Sequence, residues 1–122
     1  MNQKYLEFAR EKGKMAPDVY GDADYWALSI EDALSAVKIL RDDNVLIVGG
    51  DILSEDDSGK LGYAMHLWGE KYCYLGWSVS EKKELSETNY IKNSHDLAVE
   101  KIIEANKIAS ELNKKCYVVL TI

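Results

Sequence analysis

Glycines and carboxylates are concentrated in one short stretch, IVGGDILSEDDSGKLG, at residues 47–62. A stretch of this composition could hold a metal ion, handle a nucleotide, or form a hairpin turn that presents negative charge to a partner. A calcium-binding EF-hand loop requires oxygen ligands at positions 1, 3 and 5, a glycine at position 6 and a glutamate at position 12. With Gly59 at position 6 the last position is Met65, and with Asp51 at position 1 the third residue is Leu53. The spacing therefore argues against an EF-hand.

The glycines of the same stretch do not match a phosphate-binding loop either. Gly59 and Lys60 are followed by Leu61, where a P-loop requires serine or threonine. The Gly-Gly-Asp run that ends at Asp51 begins like the diguanylate cyclase signature, but the next two residues are isoleucine and leucine instead of glutamate and phenylalanine. We therefore predict that the stretch forms a hairpin turn that presents negative charge.

Asp51 needs a separate interpretation because it lies inside a predicted strand, directly after two glycines. A carboxylate in that place either accepts backbone N–H bonds at a bulge or faces outward and contacts a partner. The sequence leaves both interpretations open. Paired carboxylates elsewhere, Asp42-Asp43 and Asp56-Asp57, lie at predicted turns, where aspartate is favoured for backbone reasons. These pairs therefore do not indicate catalysis.

The histidines and cysteines form no recognisable catalytic or metal-binding set. His66 and His95 are far apart and belong to no zinc-ligand pattern. The run Ser94-His95-Asp96 contains the residue types of a catalytic triad, but consecutive residues at a helix start point in different directions. We therefore interpret Ser94 as a helix cap, and Cys73 as a buried structural thiol instead of a nucleophile paired with a histidine. The sequence predicts no enzyme, no cofactor and no metal site.

The hydrophobic pattern predicts one α+β domain over residues 1–122. The predicted helices are 3–12, a second that Ser29 caps and residues 42–44 end, and the longest at about 95–112. The predicted strands are 45–53, 61–68, 71–80 and 116–122, and the predicted irregular segments are 14–28 and 81–93. The order α-α-β-β-β-α-β predicts a mainly antiparallel sheet of about four strands with helices packed on one face.

The cysteines and the N-terminal charges indicate the compartment. Cys73 and Cys116 lie in separate apolar, strand-like runs, so both are predicted to be buried, reduced thiols. Within its strand, the alternation places Cys73 on the core-facing side with Leu75 and Trp77. No apolar run reaches the roughly 18 residues of a membrane span, and the N-terminal MNQKYLEFAREKGK has charges where a secretory signal needs its apolar core. We therefore predict a cytoplasmic protein.

Negative charge is concentrated in the first half of the chain. The whole chain has 15 basic and 21 acidic side chains, which gives a net charge of −6. Residues 15–61 contain eleven acids and three basic residues, a net charge of −8, whereas residues 62–122 contain eight of each sign. Such a surface repels nucleic acid and attracts a basic protein, although an acidic excess is also a common solubility device.

Three groups of residues resemble a known family. They are VGGDIL at 48–53 after a helix, Gly76-Trp77 in a later strand, and Ser94 at the opening of a helix that contains alanine four residues on. In these features the chain is similar to small bacterial immunity proteins of polymorphic toxin systems, and it resembles the immunity protein 40 family. The features lie across most of the chain.

The resemblance implies a stoichiometric inhibitor of a toxin domain, commonly a nuclease, that a neighbouring cell delivers by contact-dependent inhibition or that the same cell makes. Because a nuclease must be basic around its substrate cleft, an acidic protein could occupy that cleft in place of phosphate. The candidate contact residues combine acids with aromatic anchors, which are the residue types on which affinity usually depends. They are Asp22, Asp24, Tyr25, Trp26, Asp51, Glu55, Asp56 and Asp57.

Two other functions stay open at the level of sequence. One is a small cytosolic enzyme whose site assembles from Asp51, His66, Cys73 and Tyr74, which requires a concave pocket with a titratable group of shifted pKa. The other is an adaptor or regulatory module that binds a host protein through a sheet edge or the acidic face. Only the family resemblance separates this second function from toxin neutralisation.

Overall fold

The computed structural model describes residues 3–79 and 87–122, and these residues form an α+β fold around an antiparallel sheet. The helices are α1 (Gln3–Lys12), α2 (Pro17–Tyr20), α3 (Ile30–Asp42), α4 (Ala64–Trp68), a 3-10 helix (Glu70–Leu75) and α5 (Glu87–Leu112). The strands are β1 (Leu28–Ser29), β2 (Gly49–Glu55), β3 (Leu61–Tyr63), β4 (Trp77–Ser78) and β5 (Tyr117–Thr121). The predicted fold class is confirmed, with five strands in the described part of the chain where about four were predicted.

The centre of the sheet is the pair of β2 and β5. The strand order is β1-β5-β2-β3, every pairing is antiparallel, and β4 also pairs with β2. On the side of β2 away from β5, β4 pairs with Gly49 and Gly50, and β3 pairs from Leu53 onwards. Asp51 and Ile52 therefore lie in a gap between two partner strands. We call this position the β2 gap.

The two faces of the sheet bury different cores, because alternate residues of a strand point to opposite sides. Ile52 belongs to the larger core, which contains buried residues from α1, α3 and α5. Leu53 and Val119 belong to a smaller core on the opposite face. Val19 and Tyr20 of the short helix α2 pack against that smaller core. Aspartate 51 has the same strand parity as Leu53, so its side chain is directed towards the face on which α2 lies.

The predicted helices with clear periodicity are confirmed. The Oγ atom of Ser29 accepts a hydrogen bond of 3.2 Å from the backbone N–H of Asp32, so it caps α3 as expected. The helix α3 ends before Asn44, which has a φ of 55°, and α5 ends before Asn113, which has a φ of 56°. The apolar spacing along α5 also predicts that Ile103 widens its buried face, but this residue is 56 % exposed.

The strand predicted at 45–53 begins four residues later, at Gly49. The preceding backbone is held by α5 instead of by a strand: the N–H of Ile47 donates to Ser94 Oγ at 3.1 Å, and the carbonyl oxygen of Val45 lies 2.7 Å from His95 Nε2. Ser94 is therefore inside α5, which begins at Glu87, and its interpretation as a cap was wrong. The predicted 81–93 loop lies partly outside the described residues, and its remainder from 87 onwards belongs to α5.

The two strands predicted at 61–68 and 71–80 were wrong for most of their length. Only three residues, Leu61–Tyr63, pair with β2, and the chain then forms α4 and the 3-10 helix before it returns as β4. The run AMHLW that follows β3 is rich in good helix formers, and this preference prevails once the hairpin pairing ends. The same short run of apolar residues is therefore compatible with a strand and with these short helices.

The burial predicted for Cys73 was also wrong. In the 3-10 helix, Cys73 is exposed and Leu75 is buried, whereas the predicted alternation placed both in the core. Cys116 is half-buried, and burial raises the pKa of its thiol to about 12. The predicted irregular segment 14–28 likewise contains more structure than expected. It includes α2 and a bridge between Lys14 and Ala27.

Candidate functional site

The centre of the candidate site is Asp51 in the β2 gap. Its Oδ2 atom accepts a 2.5 Å hydrogen bond from the hydroxyl of Tyr20, which reaches it from α2. This partner is neither the backbone N–H nor the external protein that the sequence left open. Burial, followed by the bond to Asp51, raises the pKa of the Tyr20 hydroxyl above its ordinary value of 10.0. The hydroxyl therefore stays protonated and donates to the carboxylate at physiological pH.

Four rings lie in a row beside Asp51. They come from the end of α2, the segment after it, the end of β3 and the helix α4. The ring of Tyr20 lies 4.9 Å from that of Tyr25 and 6.4 Å from that of Tyr63, and the ring of Tyr63 lies 5.6 Å from that of His66. We call Tyr20, Tyr25, Tyr63 and His66 the aromatic strip. Tyr25 and His66 at its ends are exposed, so the strip presents both apolar area and polar ring atoms to solvent.

A cavity of about 330 Å³ opens at the β2 gap. Its lining includes Asp51 and Ile52 from β2, Tyr63 from the end of β3, Met65 from α4 and Tyr72 from the 3-10 helix. We call it the Asp51 cavity. Because β3 ends and β4 has not yet begun at this point, the cavity occupies the space where a paired strand would otherwise lie.

The enzyme hypothesis is only partly matched by this cavity. Asp51 and Cys73 both line it, whereas His66 and Tyr74 are not among the lining residues. Tyr74 is 47 % exposed elsewhere on the surface, and His66 contacts the cavity residue Tyr63 from outside. The four residues named from the sequence are therefore not assembled into one site.

The hairpin predicted for the acidic stretch is present, and Asp56 holds its turn. The Oδ1 atom of Asp56 accepts hydrogen bonds from the N–H of Ser58 at 2.8 Å, its hydroxyl at 2.6 Å and the N–H of Lys60 at 3.0 Å. These bonds, chiefly the one from the Ser58 hydroxyl and next the one from the Lys60 N–H, lower the pKa of the Asp56 carboxyl. Gly59 has a φ of 84°, which suits glycine in the turn. Asp57 is exposed and has no hydrogen bond or ion pair to the described residues.

The negative charge of Glu55, at the end of β2, is compensated by groups of the same chain. It accepts a 2.6 Å hydrogen bond from the hydroxyl of Tyr117, and Lys14 and Lys115 lie 3.2 and 3.5 Å from its carboxylate oxygens. The side chain of Glu55 is only 13 % exposed. The bond from Tyr117, followed by the two lysines, lowers the pKa of the Glu55 carboxyl. The main role of Glu55 is therefore to hold Tyr117 and the two lysines together, and it adds little unpaired charge to the surface.

The segment after α2 carries the remaining predicted contact residues. Asp24 forms an ion pair of 2.7 Å with Arg10 and accepts a 2.5 Å bond from Trp26 Nε1, and both contacts lower the pKa of its carboxyl. Trp26 is half-buried and packs against the larger core. Asp22 and Tyr25 are exposed, and Asp22 has no hydrogen bond or ion pair to the described residues.

An ion pair joins α2 to the tip of the hairpin. The Lys60 ammonium lies 3.9 Å from the carboxylate of Asp18, so the acids around α2 and those of the hairpin are on neighbouring segments. The sequence predicted both groups of acids, but it missed Tyr63, and it named His66 only for the enzyme hypothesis. Tyr63 pairs with Leu53, and this register places its ring beside Tyr20. The place of the Tyr63 ring could be predicted only if the pairing of Leu53 with Tyr63 was already known.

Most of the negative charge in this half of the chain is not neutralised by ion pairs. Of the eleven acids between residues 15 and 61, three form ion pairs of 4.0 Å or less with the described residues, and they are Asp18, Asp24 and Glu55. The other eight have no such pair in that part of the chain. The local electrostatic potential is therefore set by unpaired carboxylates around α2, α3 and the hairpin.

Among residues 3–79 and 87–122, no three side chains of histidine, cysteine, aspartate or glutamate come together in a way that would hold a metal ion. Within the same residues, none of the helices has the length and apolarity needed to cross a membrane.

The residues on which the resemblance was based meet around the start of β2. Gly50 pairs with Trp77 of β4, and a Cβ atom on Gly50 would collide with the indole ring of Trp77. Ser94 binds the backbone just before β2 through Ile47. Three distant groups of residues thus build one junction between the sheet, β4 and α5.

Comparison with known proteins identifies the family of the chain. The family model of immunity protein 40 matches residues 18–122, which include the five strands of the described part of the chain, α3 to α5, all but the first residue of α2, and all the predicted contact residues. The chain has no significant match among curated proteins, and none among solved structures. Because the family model covers most of its length, the chain belongs to the immunity protein 40 family.

Proposed function

We propose that this chain binds one cognate toxin domain and neutralises it by covering a basic surface of that domain. The observation that carries the proposal is the set of eight acids within residues 15–61 that lack ion pairs to the described residues. A toxin that acts on nucleic acid must present positive charge around its substrate cleft. An acidic protein of the same cell can occupy that cleft in place of phosphate. The immunity family supplies the class of partner.

The proposed contact residues divide into two groups. Asp22, Tyr25 and Asp57 are exposed and make direct contacts, because the two acids have no bonds to the described residues and the tyrosine belongs to the aromatic strip. Asp24, Trp26, Glu55 and Asp56 keep their internal bonds and act chiefly through position and electrostatic potential. Asp51 contacts the partner inside the cavity that it lines.

The two groups serve different steps of binding. Unpaired charges steer the encounter between opposite surfaces, which can raise association rate constants to about 10⁸–10⁹ M⁻¹ s⁻¹ at low salt. Aromatic side chains in a partly desolvated setting then slow dissociation. The proposed complex is one-to-one and forms in the cytoplasm, where unpaired thiols such as those of Cys73 and Cys116 persist. The chain acts by binding, without catalysis.

Co-expression with the toxin domain encoded by the adjacent gene tests the proposal. We expect wild-type protein to preserve cell survival and to co-purify with the toxin domain. The double variant Asp22→Asn with Asp57→Asn removes two exposed charges and should slow association about tenfold. The matched control is Glu100→Gln with Glu111→Gln, which removes two exposed charges from α5, outside the acidic half, and should leave association unchanged.

Two results would contradict the proposal. Failure of the wild-type chain to protect cells from the adjacent toxin domain would remove toxin neutralisation as its function. Equal effects of the two double variants would show that the acids of residues 15–61 have no special role, so binding would have to use another surface.

A further inference from the structure

We propose that the Asp51 cavity is a receptor for one arginine side chain of the toxin domain, an inference that rests on the proposed function. The cavity combines three properties at one place. It has a carboxylate that forms no ion pair with the described residues, aromatic walls, and a position beside β2 where no described strand pairs with Asp51 and Ile52. Each property follows from a different part of the fold.

The carboxylate of Asp51 has capacity for a cation. Its one hydrogen bond is donated by the neutral hydroxyl of Tyr20 to Oδ2, and it forms no ion pair with a lysine or arginine of the described residues. Each carboxylate oxygen has two lone pairs, so Oδ1 and the second lone pair of Oδ2 remain. A half-buried carboxylate without a cation attracts one more strongly than a fully solvated carboxylate does.

Gly76 leaves the approach to Asp51 open. A Cβ atom at this glycine, which lines the cavity, would lie 4.0 Å from Asp51 Oδ1 and 3.5 Å from the carbonyl oxygen of Gly50. A longer side chain would therefore extend into the space in front of the carboxylate. With glycine there, that space is free for a group from outside.

The walls and size of the cavity favour arginine among cationic side chains. Tyr63 and Tyr72 supply aromatic rings, and Met65 supplies a polarisable thioether. A guanidinium group is planar, stacks on aromatic faces and donates in a fork that matches a carboxylate. The volume of about 330 Å³ is at the small end of ligand pockets, which suits one side chain.

The entrance is the β2 gap. The chain departs from the sheet after Tyr63 and rejoins it at Trp77, so no neighbouring strand covers Asp51 and Ile52 on that side. The aromatic strip borders the same position through Tyr63, and α2 contacts it through Tyr20. A side chain projecting from a flat protein surface can therefore enter without displacing an element of the sheet.

A titration of the isolated chain with N-acetyl-arginine amide, followed by ¹H–¹⁵N NMR, tests the cavity without the toxin. We expect saturable shifts of the amides of Asp51, Ile52, Tyr63 and Gly76. In Asp51→Asn these shifts should be lost, whereas the new amide oxygen can accept the Tyr20 bond, and an otherwise unchanged ¹H–¹⁵N spectrum shows that the variant is folded. The control Glu100→Gln, an exposed carboxylate of α5 outside the proposed contact residues, should bind as wild type does. Absence of the shifts, equal shifts in Asp51→Asn, or equal binding of N-acetyl-lysine amide would overturn the assignment to arginine.

A second measurement uses the toxin domain of the adjacent gene. Asp51→Asn should weaken the complex about 30-fold or more, because it leaves a desolvated arginine of the toxin without its partner. One arginine-to-alanine variant of the toxin should weaken the complex similarly and show no further loss when combined with Asp51→Asn. Additive losses for every toxin arginine would overturn the inference.

The two experiments separate this inference from the proposed function. If the wild-type chain binds the toxin domain and Asp51→Asn binds it equally well, the cavity assignment is wrong and toxin neutralisation stands. If the wild-type chain does not bind the toxin domain, the toxin is overturned as the source of the arginine, and the amide titration alone decides whether the cavity recognises arginine.

Discussion

At the scale of single residues, the hydroxyl of Tyr117 is the group that most strongly favours the ionised form of Glu55. It donates a 2.6 Å bond to the carboxylate, which is only 13 % exposed. We expect Tyr117→Phe to raise the pKa of Glu55 towards its ordinary value of 4.5, since the largest cause of its lowering is removed. A ¹³C NMR titration of the Glu55 carboxyl measures this change. The control Tyr74→Phe alters a tyrosine that is 47 % exposed and should leave that pKa unchanged.

The same contact has a consequence for the pH dependence of stability. A carboxyl whose pKa is lowered by folding stabilises the protein above its unfolded pKa, and this contribution is lost as the pH falls through the folded pKa. We therefore expect the difference in free energy of unfolding between wild type and Tyr117→Phe to be full above about pH 5 and to shrink below pH 4.5. Urea unfolding at several pH values measures it. A difference that grows as the pH falls would contradict the assignment.

Residue roles that depend on near neighbours could be predicted from the sequence. Ser29 as a cap and residues 42–44 as the end of a helix need only local geometry, and the structure confirms them. The partner of Asp51 could not be predicted, because Tyr20 is 31 residues away and reaches it only when α2 lies on the sheet. The candidate contact residues remain a proposal for the same reason.

At the scale of elements, β4 packs on β2 through the contact between Trp77 and Gly50. A Cβ at Gly50 would lie 2.7 Å from Cζ3 of the indole ring, closer than carbon atoms approach. We expect Gly50→Ala to lower the free energy of unfolding by about 1–3 kcal/mol, because the ring or the strand must shift. Chemical denaturation followed by tryptophan fluorescence measures this loss.

Gly62 in β3 provides a matched control for that variant. A Cβ there would meet only Leu67, at 3.7 Å, which is ordinary contact. Gly62→Ala should therefore leave the free energy of unfolding within about 1 kcal/mol of wild type. Equal losses for the two variants would mean that strand glycines matter for a reason other than the tryptophan contact.

The helix α5 holds the backbone before β2 through Ser94. Its Oγ accepts from the N–H of Ile47 and donates at 2.6 Å to the carbonyl oxygen of Ile91, and Ser94 is buried. Ser94→Ala leaves the Ile47 N–H unsatisfied, so we expect a loss of about 1–3 kcal/mol in the free energy of unfolding. Thermal and urea unfolding measure it. Ser110→Ala, on the exposed side of the same helix, should change stability by less than about 0.5 kcal/mol.

The helices of ten residues or more and the apolar strand β5 were predictable, whereas the short helices α2 and α4 and the 3-10 helix were not. The helices α1, α3 and α5 and the strand β5 were predicted close to their observed bounds, apart from the start of α5. The segments predicted as strands at 61–68 and 71–80 contain α4 and the 3-10 helix, because apolar runs of that length fit either structure. Tertiary contacts with β2 and α5 decide between them.

At the scale of the whole molecule, the unequal charge of its two halves predicts salt-dependent association with the toxin domain. Residues 15–61 carry a net charge of −8, and residues 62–122 are balanced. We expect the association rate constant to fall about tenfold or more between 0.05 and 0.5 M salt, because screening at the higher concentration shortens the reach of the steering potential. Stopped-flow fluorescence over a series of salt concentrations measures it.

The dissociation rate constant should change much less over the same series, since contacts between desolvated groups are weakly screened. In the variant Asp22→Asn with Asp57→Asn, the dependence of the association rate on salt should be shallower than in wild type. An association rate that does not respond to ionic strength would mean that charge has no part in recognition.

The excursion of the chain between Tyr63 and Trp77 has a consequence for how recognition can diversify. The pairing of β2 with β5 does not involve this excursion. The excursion supplies much of the lining of the Asp51 cavity, including Met65, Tyr72 and Gly76. The core residues Ala64 and Leu75 tie this excursion to the sheet, so we expect an exchange of its other residues between related chains to leave the β2–β5 pairing in place and to alter the cavity. Under the proposed function, such an exchange would change the partner while keeping the fold.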